Sequence, residues 1–251
     1  MQSPAVAFDD VHVTYPGGAR AVDGVSLAIA RGSFVALVGR SGSGKSTLLK
    51  TVNRLAAPSG GRVTVDGRDV ADGPAHRLRR RIGYVFQGIG LFPHMTVAEN
   101  IAIGARLAGR PAARIDDLLD LVELPRAMAA RRPDALSGGQ RQRVGVARAL
   151  AGEAKLLLMD EPFGALDPVT RDALARRVRA LHDRLGLTSV MVTHDMAEAL
   201  LTADRVLVMA AGRIVADANP RALLAGEGGE AAQALVAVPR DQMHRLAALE
   251  G

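Results

Sequence analysis

The chain has 251 residues, 48% of them hydrophobic, enough for one large core or one core with a smaller lobe, so a folded soluble protein is expected. A net charge of +6 points toward nucleic acid or a membrane surface, but lysine occurs only at 45, 50 and 155 and the remaining basic residues are arginines. A compositional habit of the source genome accounts for that bias, and no nucleic-acid partner is expected. No cysteine is present, which excludes disulfides and thiolate metal sites, and no stretch approaches the roughly 20 apolar residues that cross a bilayer. The start, MQSPAVAFDD, has no basic segment followed by an apolar run, so no secretory leader is expected.

From Val6 to Val38 short apolar alternation is broken by turn signals at Pro16, Gly17, Gly18, Gly24 and Gly32, which predicts several antiparallel strands. GSFVALVG then delivers a strand into GRSGSGKST, and STLLKTVNRL continues with apolar residues at helical spacing. That setting is the one a P-loop requires. Gly39, Arg40, Ser41, Gly42, Ser43, Gly44, Lys45 and Ser46 match G-x-x-x-x-G-K-[S/T], with Thr47 next in line. In such a loop backbone N–H groups wrap phosphates, Lys45 reaches the outer ones and Ser46 ligates magnesium. A lysine here, in so arginine-rich a chain, is itself informative, because a compact ammonium suits a confined phosphate pocket better than a planar guanidinium. GRVTVDGRDV reads as a further strand and turn, the arginines at 77, 79, 80 and 81 as a solvated helix end, and RRRIGYVFQ as another strand.

Between Leu91 and Arg132 the chain changes to helical segments punctuated by Pro93, Pro111, Pro125 and Pro133, which predicts a separate helical lobe over about 91–135. A helix follows over Gln140 to Ala151, then a buried strand over Lys155 to Met159, a helix over Val169 to Leu185 and a strand over Thr188 to Thr193. A helix near Ala197 to Leu201, a hairpin around Gly212 and one or two loosely packed helices complete the chain, with a short tail over 241–251. Strands alternating with helices imply a mostly parallel central sheet, so the fold class is α/β.

Two further stretches carry chemistry. LLLMDE, residues 156–161, is an apolar strand ending in two carboxylates, and parallel strands present their C-terminal ends to the ligand crevice. Asp160 is then placed to hold the magnesium ion and Glu161 to act as general base on the attacking water; taken alone, two acids after an apolar strand also describe a solvated strand end. ALSGGQRQR, residues 135–143, opens a helix with an S-x-x-Q capping box at Ser137 and Gln140. The modest reading is an ordinary helix start. The other uses the same physics, because a helix N-terminus with exposed glycine N–H groups binds anions, and a nucleotide seated in a P-loop has another side to cover.

LSGGQ at 136–140, the P-loop, the DE strand end and His194 after the next strand together resemble the ATP-binding subunits of ABC transporters, in order over residues from about 6 to 217. The resemblance implies a P-loop ATPase over about 1–240, with an N-terminal antiparallel subdomain and an inserted helical one, that binds ATP and Mg2+. It implies a head-to-tail homodimer in which Ser137, Gly138, Gly139 and Gln140 close on the nucleotide held by the partner's P-loop. It further implies that Tyr15 stacks on adenine and that Gln87 senses magnesium and the attacking water. His194 would hydrogen-bond the γ-phosphate, and Asp167, in GALD, would touch the partner subunit; without the other motifs His194 would read as a core histidine at a strand end. Expected partners are transmembrane permease subunits and, indirectly, an extracytoplasmic solute-binding protein, which puts the chain at the cytoplasmic face of the membrane.

NRLAAPSGG, RRRIGYVFQGIGLFPHMTVAENI and MDEPFGALDPVTR look like the ATPases of importers for quaternary-amine osmoprotectants such as choline, carnitine or glycine betaine. FPHMTV is shared with sugar and polyamine importers, so the discriminating residues are Gly88, Ile89 and Gly90. Importers of other solutes, amino acids included, and ABC ATPases outside transport are the alternatives; the latter usually carry a coiled-coil insertion or two ATPase halves. The regulatory sensor modules of many relatives are not expected here.

Overall fold

The computed structural model describes residues 3–107, 109, 114–152 and 154–249. In chain order the strands and helices are β1 (Val6–Thr14), β2 (Arg20–Ile29), β3 (Phe34–Val38), α1 (Lys45–Val52), β4 (Gly60–Val65), β5 (Arg68–Asp69) and α2 (Ala75–Arg79). They continue with β6 (Ile82–Val85), α3 (Val97–Leu107), α4 (Ile115–Leu121), α5 (Gly138–Leu150), β7 (Leu156–Asp160), α6 (Pro168–Leu185) and β8 (Thr188–Thr193). The last are α7 (Met196–Thr202), β9 (Arg205–Ala210), β10 (Arg213–Ala218), α8 (Pro220–Leu224) and α9 (Gly229–Ala247). Contacts divide the chain into one compact unit of residues 1–72 with 190–251 and a second of residues 73–189.

In the first unit, β1 pairs antiparallel with β2 and with β4, giving the order β2-β1-β4-β5. Val6, Phe8, Val11 and Val13 are buried while Asp9 and Asp10 face out, a period-2 pattern that slips once where the register shifts. Gly61 lies opposite that bulge, where a Cβ would come within 2.0 Å of the Asp10 carbonyl oxygen. The other strands follow the order β10-β9-β3-β8. All five residues of β3 are buried, and it runs parallel to β9, as expected of a strand covered on both faces. Leu48, Leu49 and Val52 of α1 face Phe8, Leu27 and Ile29 of the antiparallel sheet and Leu37, Val190 and Leu207 of the other around a small apolar cavity. The expected hairpin turns on Ala211 and Gly212, both at positive φ, the geometry that matches strand twist. The C-terminal helices are α8 and α9; α9 buries Ala232 and Val236, contains Pro239 and runs on through residue 240.

In the second unit β6 runs parallel to β7, from Ile82 opposite Leu156 to Val85 opposite Met159, and every residue of β7 is buried. Residues 91–135 contain α3, α4 and 3-10 turns at Arg126–Ala130 and Pro133–Ala135, with no strand among the described residues. Pro111 lies outside those residues. Asn100, fully buried, organises the start of this stretch: its side chain accepts from Phe92 N at 2.7 Å and donates to the carbonyls of Phe92, Met95 and Thr96. Arg143 of α5 donates to the Glu123 carbonyl at 2.8 Å, and Arg177 of α6 pairs with the Glu123 carboxylate at 2.8 Å, fixing the end of α4 from two sides. The arginines at 77, 79, 80 and 81 are exposed on and just after α2, the solvated helix end their pattern predicts.

Candidate active site

In the first unit the glycine loop leads from β3 into α1, as the sequence requires. Gly44 caps α1 in the left-handed conformation, φ 104°, with no side chain bonded to the helix start. A Cβ on Gly44 would approach the Ala21 carbonyl oxygen to 2.1 Å, and one on Gly39 would approach that of Met209 to 2.2 Å. Both glycines are therefore obligatory, because the loop backbone packs directly against that of Ala21 and Met209. Lys45 is buried, and its ammonium donates to the carbonyls of Gly39 at 2.8 Å and Arg40 at 2.9 Å. Ser43 is buried, Arg40, Ser41 and Gly42 are exposed at the rim, and Ser46 and Thr47 lie half-buried on the first turn of α1. The Tyr15 hydroxyl is 3.1 Å from the Thr47 hydroxyl, which puts an aromatic ring, 45% exposed, beside the loop.

His194 follows β8 in the same unit and is exposed, which removes the core-histidine reading. The turn around it is tightly held. Thr193 accepts from Asp195 N and donates to Glu198, and Asp195 caps α7 by accepting from the N–H groups of Ala197 and Glu198.

The second unit brings together the signature helix, the DE strand end and the GALD loop. Both halves of the Ser137–Gln140 capping box form: Ser137 Oγ accepts from Gln140 N at 3.2 Å, and Gln140 Oε1 accepts from Ser137 N at 3.0 Å. The helix starts at Gly138, two residues before the expected Gln140, because the cap is the serine and both glycines adopt helical geometry after it. Ser137 is exposed, a Cβ on Gly138 would meet nothing within 4 Å, and one on Gly139 would press to 3.2 Å from Leu166. The signature thus has one open face and one packed against its own GALD loop. Asp167 of that loop caps α6 by accepting from Thr170 N at 3.0 Å; a hydrogen bond with the Thr170 side chain, and then this backbone one, hold its carboxyl below the ordinary aspartate range.

Asp160 ends β7 with 1% exposure, and the Tyr84 phenol lies beside it; burial, then the neighbouring carboxylate, push that phenol far above its ordinary range. Glu161 follows at φ 49°, in the left-handed region that non-glycine residues rarely occupy. Gln87 is exposed just beyond β6. The discriminating loop behind it is equally unusual, with Ile89 at φ 63° and Gly90 at φ 55°. Arg148 of α5 holds this loop, donating to the Ile89 carbonyl at 2.9 Å and the Gly90 carbonyl at 2.7 Å, with its guanidinium 5.7 Å over the Phe86 ring.

The profile of the ABC transporter family matches residues 22–164, more than half of the chain, and takes in the P-loop, Gln87, the signature and the DE pair. The chain belongs to the ABC transporter family. It is 47% identical over 229 residues to the choline transport ATP-binding protein of Bacillus subtilis, an alignment covering 90% of this chain and 60% of that protein. It is 49% identical over 212 residues to the glycine betaine uptake system ATP-binding protein of Escherichia coli, covering 83% of this chain and 69% of the relative. Among solved structures, a dimeric ATP-binding cassette in a post-hydrolysis state bound to ADP and Pi superposes with a TM-score of 0.80 at 33% identity, over 86% of this chain and 99% of that one. The expected ABC fold, an antiparallel N-terminal sheet with a parallel core, is therefore the fold of this chain.

Three residues of the site escaped sequence reading: Gln142, Arg148 and Tyr84. For Gln142 a signal existed. It lies on one stripe of α5 with Gly145, Val146 and Ala149, all buried, so a polar residue occupies an apolar row. Arg148 had none, being one arginine among many, and Tyr84 reads as an ordinary strand residue.

Proposed function

We propose that this chain binds and hydrolyses ATP as the motor subunit of a membrane importer, working as a homodimer at the cytoplasmic face and coupled to permease subunits, with a solute-binding protein acting on the permease from outside. The observation that carries the reading is the loop before α1, where two sterically obligatory glycines shape a tight turn that seats the Lys45 ammonium at a helix start, the setting in which phosphate binds.

The chemistry is a water attack on the γ-phosphorus, with the bond from that phosphorus to the β–γ bridging oxygen breaking and ADP leaving. Glu161 takes the proton of the water as its oxygen bonds to phosphorus. Gly39 to Thr47 hold the phosphates, His194 donates to the γ-phosphate and Tyr15 offers its ring to the adenine. Among the described residues no group of three or more His, Cys, Asp or Glu is arranged to hold a metal. Magnesium does not call for such a cluster, since it is held through one or two carboxylates together with substrate phosphates and water. Ser46 and Asp160 supply hard oxygen donors and Gln87 an amide; the ion, when bound, neutralises charge developing on the phosphates.

Ser137 and the glycines after it present their open face to the nucleotide of a second copy, and Asp167 lies at the same interface. Support comes from the dimeric state of the superposed cassette. Membrane attachment in this reading runs through the permease; no helix among the described residues is long and apolar enough to cross a membrane. For the solute we favour quaternary amines, choline or glycine betaine, on the names of the two transport relatives.

The deciding experiment is Glu161→Gln. We expect ATP affinity to hold, steady-state hydrolysis to fall by about 100-fold or more, and light scattering to show an ATP-dependent dimer. Hydrolysis at the unmodified rate would remove Glu161 from its role.

A further inference from the structure

Gln142 is 2% exposed, and the reason for a buried carboxamide lies across from it. Its Nε2 donates to the Pro162 carbonyl at 2.7 Å and to the Glu161 carbonyl at 3.3 Å. Two consecutive carbonyls turned toward one side are awkward in a buried turn, and an NH2 group with two hydrogens is the side-chain donor that answers both. Glutamate, leucine or methionine, equally good helix formers, cannot do so.

The segment held in this way is strained. Glu161 sits at φ 49°, a conformation that is unfavourable for a non-glycine residue and persists only where the surroundings impose it. Its carbonyl also receives Gly164 N at 3.3 Å, a long bond. Gln142 is therefore a side-chain restraint on the backbone that aims the Glu161 carboxylate. It stands on α5, one turn beyond Ser137, in a helix braced by Arg143 and Arg148.

We propose that Gln142 is a positioning residue: it locks Glu161 in its left-handed conformation and transmits to that carboxylate any displacement of the signature helix. This rests on Glu161 being the general base. If the open end of α5 meets a partner's nucleotide, Gln142 then links what happens there to the base of the protomer's own site. Each protomer would sense the partner's ATP through a single carboxamide.

The test uses Gln142→Leu and the isosteric Gln142→Glu in the full chain, with kcat, KM and ATP affinity measured separately. Both variants should keep ATP affinity within about threefold and lose about 10- to 100-fold in kcat, as a base displaced by about 1 Å would. Gln142→Glu adds a readout that mere packing would not move. Its carboxylate faces two carbonyl oxygens and repels them, and burial there raises its pKa above the ordinary glutamate range; the protonated acid donates to one of them, so its activity relative to the unmodified chain should rise as pH falls. If kcat stays within twofold in both variants, or if Gln142→Glu shows no such recovery, the positioning role is overturned. Should Gln142→Leu not fold, Gln142→Glu alone decides through its pH profile. Failure of the base assignment would show separately, as undiminished hydrolysis by Glu161→Gln.

Discussion

Gly44 and Glu161 are both left-handed, and only one of them announces it. A glycine before Lys-Ser in a strand-to-helix setting carries its backbone requirement in its residue type. Replacing it gives a sharp expectation: Gly44→Ala would bring a Cβ to 2.1 Å from the Ala21 carbonyl oxygen at φ 104°. Titration with a fluorescent ATP analogue should show affinity weaker by at least about tenfold, the energy of half a lost charged hydrogen bond or more; unchanged affinity would show that the loop does not cradle phosphate. Glutamate has no comparable preference for positive φ, so the twist at Glu161 is imposed by Gln142 and the following turn and is invisible along the chain. The acids themselves were legible from the LLLMDE pattern, whereas the group that orients them was not, because its contact spans 19 residues of sequence.

At the scale of elements, local rules read well and clamps read poorly. The capping box of α5, the P-loop start of α1 and the turn at Gly212 follow from residues within four positions of one another, and each formed as its chemistry requires. Only ends moved, by one or two residues, as with α5, β7 and α7. The loop at 88–90 is the opposite case. A β-branched residue at φ 63° is held by an arginine 58 or 59 positions away, and in a chain this rich in arginine nothing marks that one. Burial holds the Arg148 guanidinium below its ordinary range, yet it remains charged and makes two charge-assisted bonds. Arg148→Ala should lower unfolding free energy by about 1–3 kcal/mol in urea titration. Arg148→Lys should recover only part of that, since one ammonium cannot span both carbonyls as a planar fork does. Full stability in the lysine variant would mean that charge alone holds the loop.

For the molecule as a whole, the α/β class, the antiparallel N-terminal sheet and the helical stretch at 91–135 were legible, because periodicity changes from two to helical spacing at their borders. Part of the arginine surplus goes into surface pairs, as in Arg31 with Asp66, Arg126 with Asp120 and Arg205 with Asp217. Shared sites are testable only at this scale. Subunits carrying Lys45→Ala mixed with subunits carrying Ser137→Arg should occlude nucleotide as neither does alone, since only a mixed pair contains one undamaged combination; a silent mixture would end the shared-site arrangement. One local feature bears on how such pairs come apart. The ring of two hydrogen bonds at Ser137 and Gln140 is closed within the protomer, so separation leaves no frayed end to rebuild. Every encounter then begins from a finished surface, and the speed of reassociation is set by diffusion and nucleotide occupancy rather than by local refolding.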